Sequence, residues 1–148
     1  LMKKNISSIL WRIKMINLDE VIELCLVDDS FVPCIDFGHL NARSFGEIKD
    51  KKDYAKILDR MENALGKERT KNFHSHFSKI EFTSPGGEKK HLTFDDTEYG
   101  PEFSPLAELI AERGLTPTFI CESSGTQTED AAEMRKIYLN ALNSMRED

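Results

Sequence analysis

Helical and strand-like segments alternate along residues 17 to 148, and this predicts an α/β fold of three to four parallel βα units. Two observations carry the prediction. Apolar, β-branched or aromatic runs at 31–40, 72–82 and 117–122 read as strands, and stretches with apolar residues at three- and four-residue spacing lie between them. A small open sheet and a partial barrel both fit, since a closed (β/α)₈ barrel takes about 250 residues.

The first helix is predicted over 18–26, where Leu18, Val21, Ile22, Cys25 and Leu26 fall on one face behind Asn17 as N-cap and Glu20 three positions on. FVPCIDFGHL reads as a buried strand ending at Asp36, followed by a loop through Arg43 and Gly46. Residues 51–65 repeat the helical stripe with Tyr54, Ile57, Leu58, Met61 and Leu65, opened by Asp50 and stopped by Gly66. NFHSHFSKIEF is strand-like, and 83–101 is a long polar loop with room for a short hairpin around Pro85, Gly86 and Gly87. Ser104 and Pro105 form an N-cap and N1 pair for a helix that Gly114 ends. PTFICE is the third strand, and a final helix begins at Thr128 with Met134, Ile137, Tyr138, Ala141 and Met145 along its stripe. No internal repeat is present.

Composition limits the function classes. The chain has 148 residues, 39% apolar and 31% charged, with a net charge of −6 and a mean hydropathy of −0.46. A polycationic nucleic-acid coat is excluded as a whole-chain property, and nothing past the first dozen residues approaches the roughly 18 apolar residues of a membrane span. The charge is uneven: residues 1–91 carry 16 basic and 14 acidic groups, while 92–148 carry 4 and 12. A phosphate-facing surface is therefore expected in the first part, unless bound metal reverses the sign locally. Cys25, Cys34 and Cys121 are odd in number without CxxC spacing, which suits a reducing cytoplasm. The basic, apolar start at residues 1–16 lacks a cleavage site and does not read as a signal peptide.

In a parallel α/β fold the reactive groups stand at the carboxyl ends of strands. There the sequence places Asp36 with His39 three residues on, His74 with His76 two further along, and Glu122. One carboxylate, one imidazole and a second carboxylate form a mixed N/O set suited to zinc or manganese. All four histidines, His39, His74, His76 and His91, fall at predicted strand ends or in the following loops. Each also has a plainer reading, an N-cap for the acids and an ordinary hydrogen-bonded group for the imidazoles. Lys79 could meet a phosphate as a point charge. Ser123 to Thr126 open a helix, where ordinary capping outweighs anion binding. GxSxG, P-loop and GxGxxG motifs are all missing.

The segments PCIDFGHLNAR, HSHFSKIEFT, GGEKKHLTF, YGPEF and ICESSGTQTEDA resemble the carboxyl-terminal part of the endonuclease IV family of apurinic/apyrimidinic endonucleases. The resemblance covers 17 to about 140 and rests on the ordered D-x-x-H, HxxxxK and CES segments. It implies an incomplete (β/α)₈ TIM barrel made of the last three to four βα units. It also implies a zinc-dependent, DNA-repair hydrolase that cuts the phosphodiester 5′ to abasic sites in DNA. By the same resemblance Asp36, His74 and Glu122 hold one metal, Glu122 is also catalytic, His39 and His91 hold another, and Lys79 binds phosphate.

Two departures qualify these implications. Lys89 stands where the family has an acidic ligand, with Glu88 one position earlier, and SSILWRIKMIN has no counterpart of the family's bridging glutamate. Residues 1–16 do not match, the family's earlier βα units have no counterpart, and activity is expected to be impaired. Self-association or a complementing chain is the corresponding expectation for partners. The alternatives are a sugar isomerase or epimerase of the xylose isomerase-like superfamily, which needs one metal, and a non-catalytic fragment.

Overall fold

The computed structural model describes residues 17–84 and 87–147. Residues 1–16, which hold nearly all of the stretch expected to lack the bridging glutamate, and Pro85, Gly86 and Asp148 lie outside the described residues.

Helix α1 (Leu18–Val27) begins in a capping box. The Asn17 side chain accepts the Glu20 N–H at 3.0 Å, and the Glu20 carboxylate accepts the Asn17 N–H at 2.8 Å. Its inner face buries Ile22 and Cys25 against Leu65. Strand β1 is only Cys34–Asp36, and the expected loop after it is instead helix α2 (Phe37–Arg43). The reason is local: the Asp36 carboxylate caps the new helix by accepting the His39 N–H at 3.0 Å. His39 therefore stands on a helix, not in a loop.

Helix α3 (Lys51–Leu65) spans the expected range. Asp50 accepts from Lys52 N–H at 2.8 Å and Asp53 N–H at 3.2 Å, and Gly66 ends the helix at φ 82°. The Lys56 ammonium and the Lys49 backbone N–H hold the half-buried Asp53 carboxyl down at about 2. A folded value below the ordinary 3.8 means that this stabilisation is full above 3.8 and is lost as pH falls through about 2. Asp53→Asn should therefore flatten the acid limb of the far-UV helical signal, and an unchanged limb would contradict the assignment.

Short helix α4 (Lys67–Lys71) leads into β2 (His74–Phe77). The next apolar residues form a separate strand, β3 (Ile80–Thr83), which pairs antiparallel with β4 (Gly87–His91). Helix α5 (Ser104–Arg113) has Phe103, not Ser104, as its N-cap, and Gly114 closes it in the left-handed region at φ 60°. β5 (Thr118–Cys121) and α6 (Gln127–Glu147) complete the chain, α6 starting one residue before Thr128.

The parallel sheet has the order β1–β2–β5, with Cys34 opposite His74, Asp36 opposite His76, and His76 opposite Ile120. Strand alternation divides its faces. Ile35, Ser75 and Phe77 are buried, Ile35 and Phe77 joining the core with Phe37, Tyr54, Leu58, Met61 and Leu106, while Phe119 packs on that core from β5. The Tyr54 hydroxyl donates to the Glu102 carbonyl at 2.6 Å, and burial pushes it well above the ordinary tyrosine range. The opposite face carries Cys34, Asp36, His74 and His76, all half-buried.

This arrangement overturns the expectation of an incomplete TIM barrel. The described residues form a three-stranded parallel sheet and a separate two-stranded antiparallel sheet, with no barrel-like arrangement and nothing near eight parallel strands. The physical reason is the supply of strands: after β2 the chain inserts the β3–β4 hairpin before α5 crosses over to β5, so the described residues give only three parallel strands, an open sheet with β1 and β5 as its edges. Among the described residues, no helix is long and apolar enough to cross a membrane.

Candidate metal centre

Three groups of side chains that could hold a metal ion lie among the described residues, each with ligand atoms within 4.8 Å of one another: Asp36, His76 and Glu122; His39, Glu88 and His91; and Cys34, His74 and His76. The parallel register builds the first. Asp36 ends β1 opposite His76, and the Glu122 N–H donates to the Phe77 carbonyl at 3.0 Å, which sets Glu122 just past β5 on the same end of the sheet. His76 Nδ1 is 3.2 Å from Glu122 Oε1. Burial pushes the Asp36 carboxyl above its usual range against the opposing pull of His39.

The second group joins α2 to the hairpin. Glu88 bridges two imidazoles, with Oε2 2.8 Å from His39 Nδ1 and Oε1 3.3 Å from His91 Nε2. Buried Ser78 faces His91 Nδ1 at 2.8 Å; with hydrogen on Nδ1, that nitrogen donates to the Ser78 hydroxyl and Nε2 keeps a lone pair for a cation. A bulge explains why Glu88 reaches this place. Glu81 pairs with Lys90 but Phe82 pairs with Glu88, so Lys89 is the extra residue and Glu88 shifts to the face of His91. The Lys89 ammonium instead reaches Glu81 at 2.5 Å.

The two groups adjoin. His39 Nε2 lies 3.4 Å from Asp36 Oδ2, is buried and makes no hydrogen bond. A buried imidazole nitrogen without a hydrogen bond beside the Asp36 carboxylate, on a ring whose other nitrogen faces Glu88, is the electronic demand that a cation meets, so these residues fit a divalent metal. Gly38 lets this corner close, because a Cβ there would stand 2.6 Å from the Ser78 carbonyl oxygen. Gly38→Ala should cost about 1–3 kcal/mol and weaken metal binding. Unchanged thermal melting would contradict that contact.

The predicted site residues are therefore distributed as follows. Asp36 and Glu122 meet each other through His76, while His74 stands one step back along β2 with Cys34, its imidazole depressed by burial and by His76. His39 and His91 meet through Glu88. Lys79 is buried, its ammonium 2.6 Å from both the Asp96 carbonyl and Glu102 Oε1, so it secures the 92–103 segment from below. At the start of α6, the Thr126 hydroxyl donates to the Asp130 carboxylate at 2.9 Å, and that carboxylate also accepts the Phe94 N–H at 3.0 Å. The sequence does not single out His76 and Cys34 as ligands, and it leaves open whether Glu88 replaces the acidic ligand expected at Lys89; the HxH spacing, which puts both imidazoles on one face of a strand, was the available signal for His76.

The chain is 37% identical over 122 residues to an uncharacterised protein of Methanocaldococcus jannaschii, a match that covers 82% of this chain and 43% of the archaeal protein. It thus spans less than half the length of that relative. Neither a protein-family model nor a solved structure matches the chain.

Proposed function

We propose that this chain is a metal-dependent phosphodiester hydrolase of the endonuclease IV line, acting on DNA with abasic sites and using zinc, with manganese as the alternative cation. The observation that carries the reading is the adjacency of two donor sets across the Asp36–His39 contact of 3.4 Å. Two adjacent donor sets would suit phosphoryl chemistry, to which a pair of divalent ions would supply charge neutralisation, whereas a sugar isomerase needs only one ion. His39, His91 and Glu88 form the two-imidazole, one-carboxylate set common in catalytic zinc sites.

Without a cation, Asp36, Glu88 and Glu122 would repel a phosphodiester. Divalent ions held by Asp36, His76 and Glu122 and by His39, Glu88 and His91 would reverse that sign and would supply Lewis acidity toward the phosphoryl group and the attacking water. The protein's own part is to hold these donors: β1 and β2 fix Asp36 against His76, the Phe77 carbonyl places Glu122, and Ser78 sets the His91 ring.

The test is cleavage of a labelled abasic-site oligonucleotide by the purified chain with added Zn²⁺ or Mn²⁺. Slow, chelator-sensitive cutting 5′ to the lesion that Glu122→Gln and His39→Ala both lose is the expected result. Cutting no faster than metal alone, or interconversion of a ketose and aldose in its place, would overturn the reading.

A further inference from the structure

Cys34 is placed unlike a packing cysteine. Its strand neighbour Ile35 is 1% exposed and joins the core, while Cys34 is half-buried on the opposite face among polar groups. The parallel register sets Cys34 directly across from His74, and His76 follows two residues along on the same face. The two imidazole rings stand edge to face with centroids 5.5 Å apart. One ligand atom from each of the three lies within 4.8 Å of the others. A tetrahedral ion with bonds of about 2.0–2.3 Å separates its donors by about 3.5 Å, so small side-chain rotations close the set.

We propose that Cys34, His74 and His76 form a site for a thiophilic cation, such as zinc, cadmium or copper(I), that competes with the Asp36–His76–Glu122 site for His76. Binding is a ligand exchange with no redox change: the Cys34 S–H proton passes to solvent, a metal–thiolate bond forms, and each imidazole donates a neutral lone pair. A thiolate with two imidazoles favours soft and borderline ions, while two carboxylates with one imidazole favour harder ones such as manganese. His76 belongs to both sets, so one ion at Cys34 withdraws the only imidazole of the carboxylate set. The carboxylate centre is thereby emptied by soft metals, whether or not it cleaves DNA.

The experiment is titration of the full chain with Cd²⁺ and Co²⁺, read by thiolate-to-metal charge-transfer absorption, in wild type, Cys34→Ser, His74→Gln and Glu122→Gln. The band should saturate in wild type and in Glu122→Gln, vanish in Cys34→Ser, and need at least tenfold more metal in His74→Gln. Cd²⁺ should also release Mn²⁺ bound beforehand, seen as the return of the free-ion electron paramagnetic signal. Alkylation mapped by mass spectrometry on wild type covers the case where a variant does not fold, with Cd²⁺ protecting Cys34 and leaving Cys121 reactive. Absence of the band at saturating Cd²⁺, its persistence in Cys34→Ser, or unprotected Cys34 would overturn the proposal. Retention of Mn²⁺ alongside a saturated band would overturn the competition.

Discussion

Replacing His76 by alanine is expected to lower zinc or manganese affinity at the Asp36–Glu122 pair by roughly 100-fold or more, and to reduce metal bound per chain by one. Loss of a group that merely orients a ligand already costs 10–100-fold, so loss of a direct donor should exceed that. His76 is the imidazole within reach of both Asp36 and Glu122, with its Nδ1 3.2 Å from Glu122 Oε1. His74→Ala should leave manganese affinity at that pair within severalfold, because His74 groups with Cys34 and His76 instead. Calorimetric titration of the two variants side by side settles the order. If His74→Ala proved the more damaging, the ligand implied by the endonuclease IV resemblance would be restored and the geometric grouping would fail.

That contrast shows where the sequence was readable and where it was not. Helix α3 was legible to the residue because its signals are local: Asp50 caps through its own side chain, the stripe has a helical period, and Gly66 supplies the positive φ that ends it. The strand after Phe31 was overextended because β-branched and aromatic residues in FVPCIDFGHL suggest a longer strand. Asp36 starts a helix there by capping, an effect that propensity does not register. Choosing between His74 and His76 depends on the parallel register of β1 against β2, a non-local quantity that places Asp36 opposite His76. Whether Glu88 replaces the acidic ligand expected at Lys89 stayed open for a similar reason, since strict alternation would set it on the face opposite His91 and only the bulge at Lys89 brings it round. The open sheet was legible as a count of three parallel strands; the barrel was inferred from resemblance, and three parallel strands with a separate hairpin do not make one.

Phe77→Ala is expected to cost about 3–5 kcal/mol of folding stability, a large share of the roughly 5–15 kcal/mol typical of a domain. The side chain is fully buried and its ring meets Phe103 at 5.1 Å, Phe94 at 5.9 Å, Phe37 at 6.3 Å and Phe119 at 6.5 Å between centroids. Few positions join α2, α5, β5 and the 92–103 segment at once, so neighbours cannot all relax into one cavity. Phe77→Leu keeps most of the volume and should cost less than half as much. Urea unfolding followed by circular dichroism measures both, and a loss below about 1 kcal/mol for the alanine variant would refute this packing. The same residue links core to site, because its carbonyl accepts the Glu122 N–H and its strand carries His76. Metal binding to the folded form alone adds about 2.7 kcal/mol at a hundredfold excess over Kd. Zinc should therefore rescue Phe77→Ala by less than wild type gains, since a loosened β2 binds the ion more weakly. Equal gains in the two proteins would mean that the metal site is indifferent to the core beneath it.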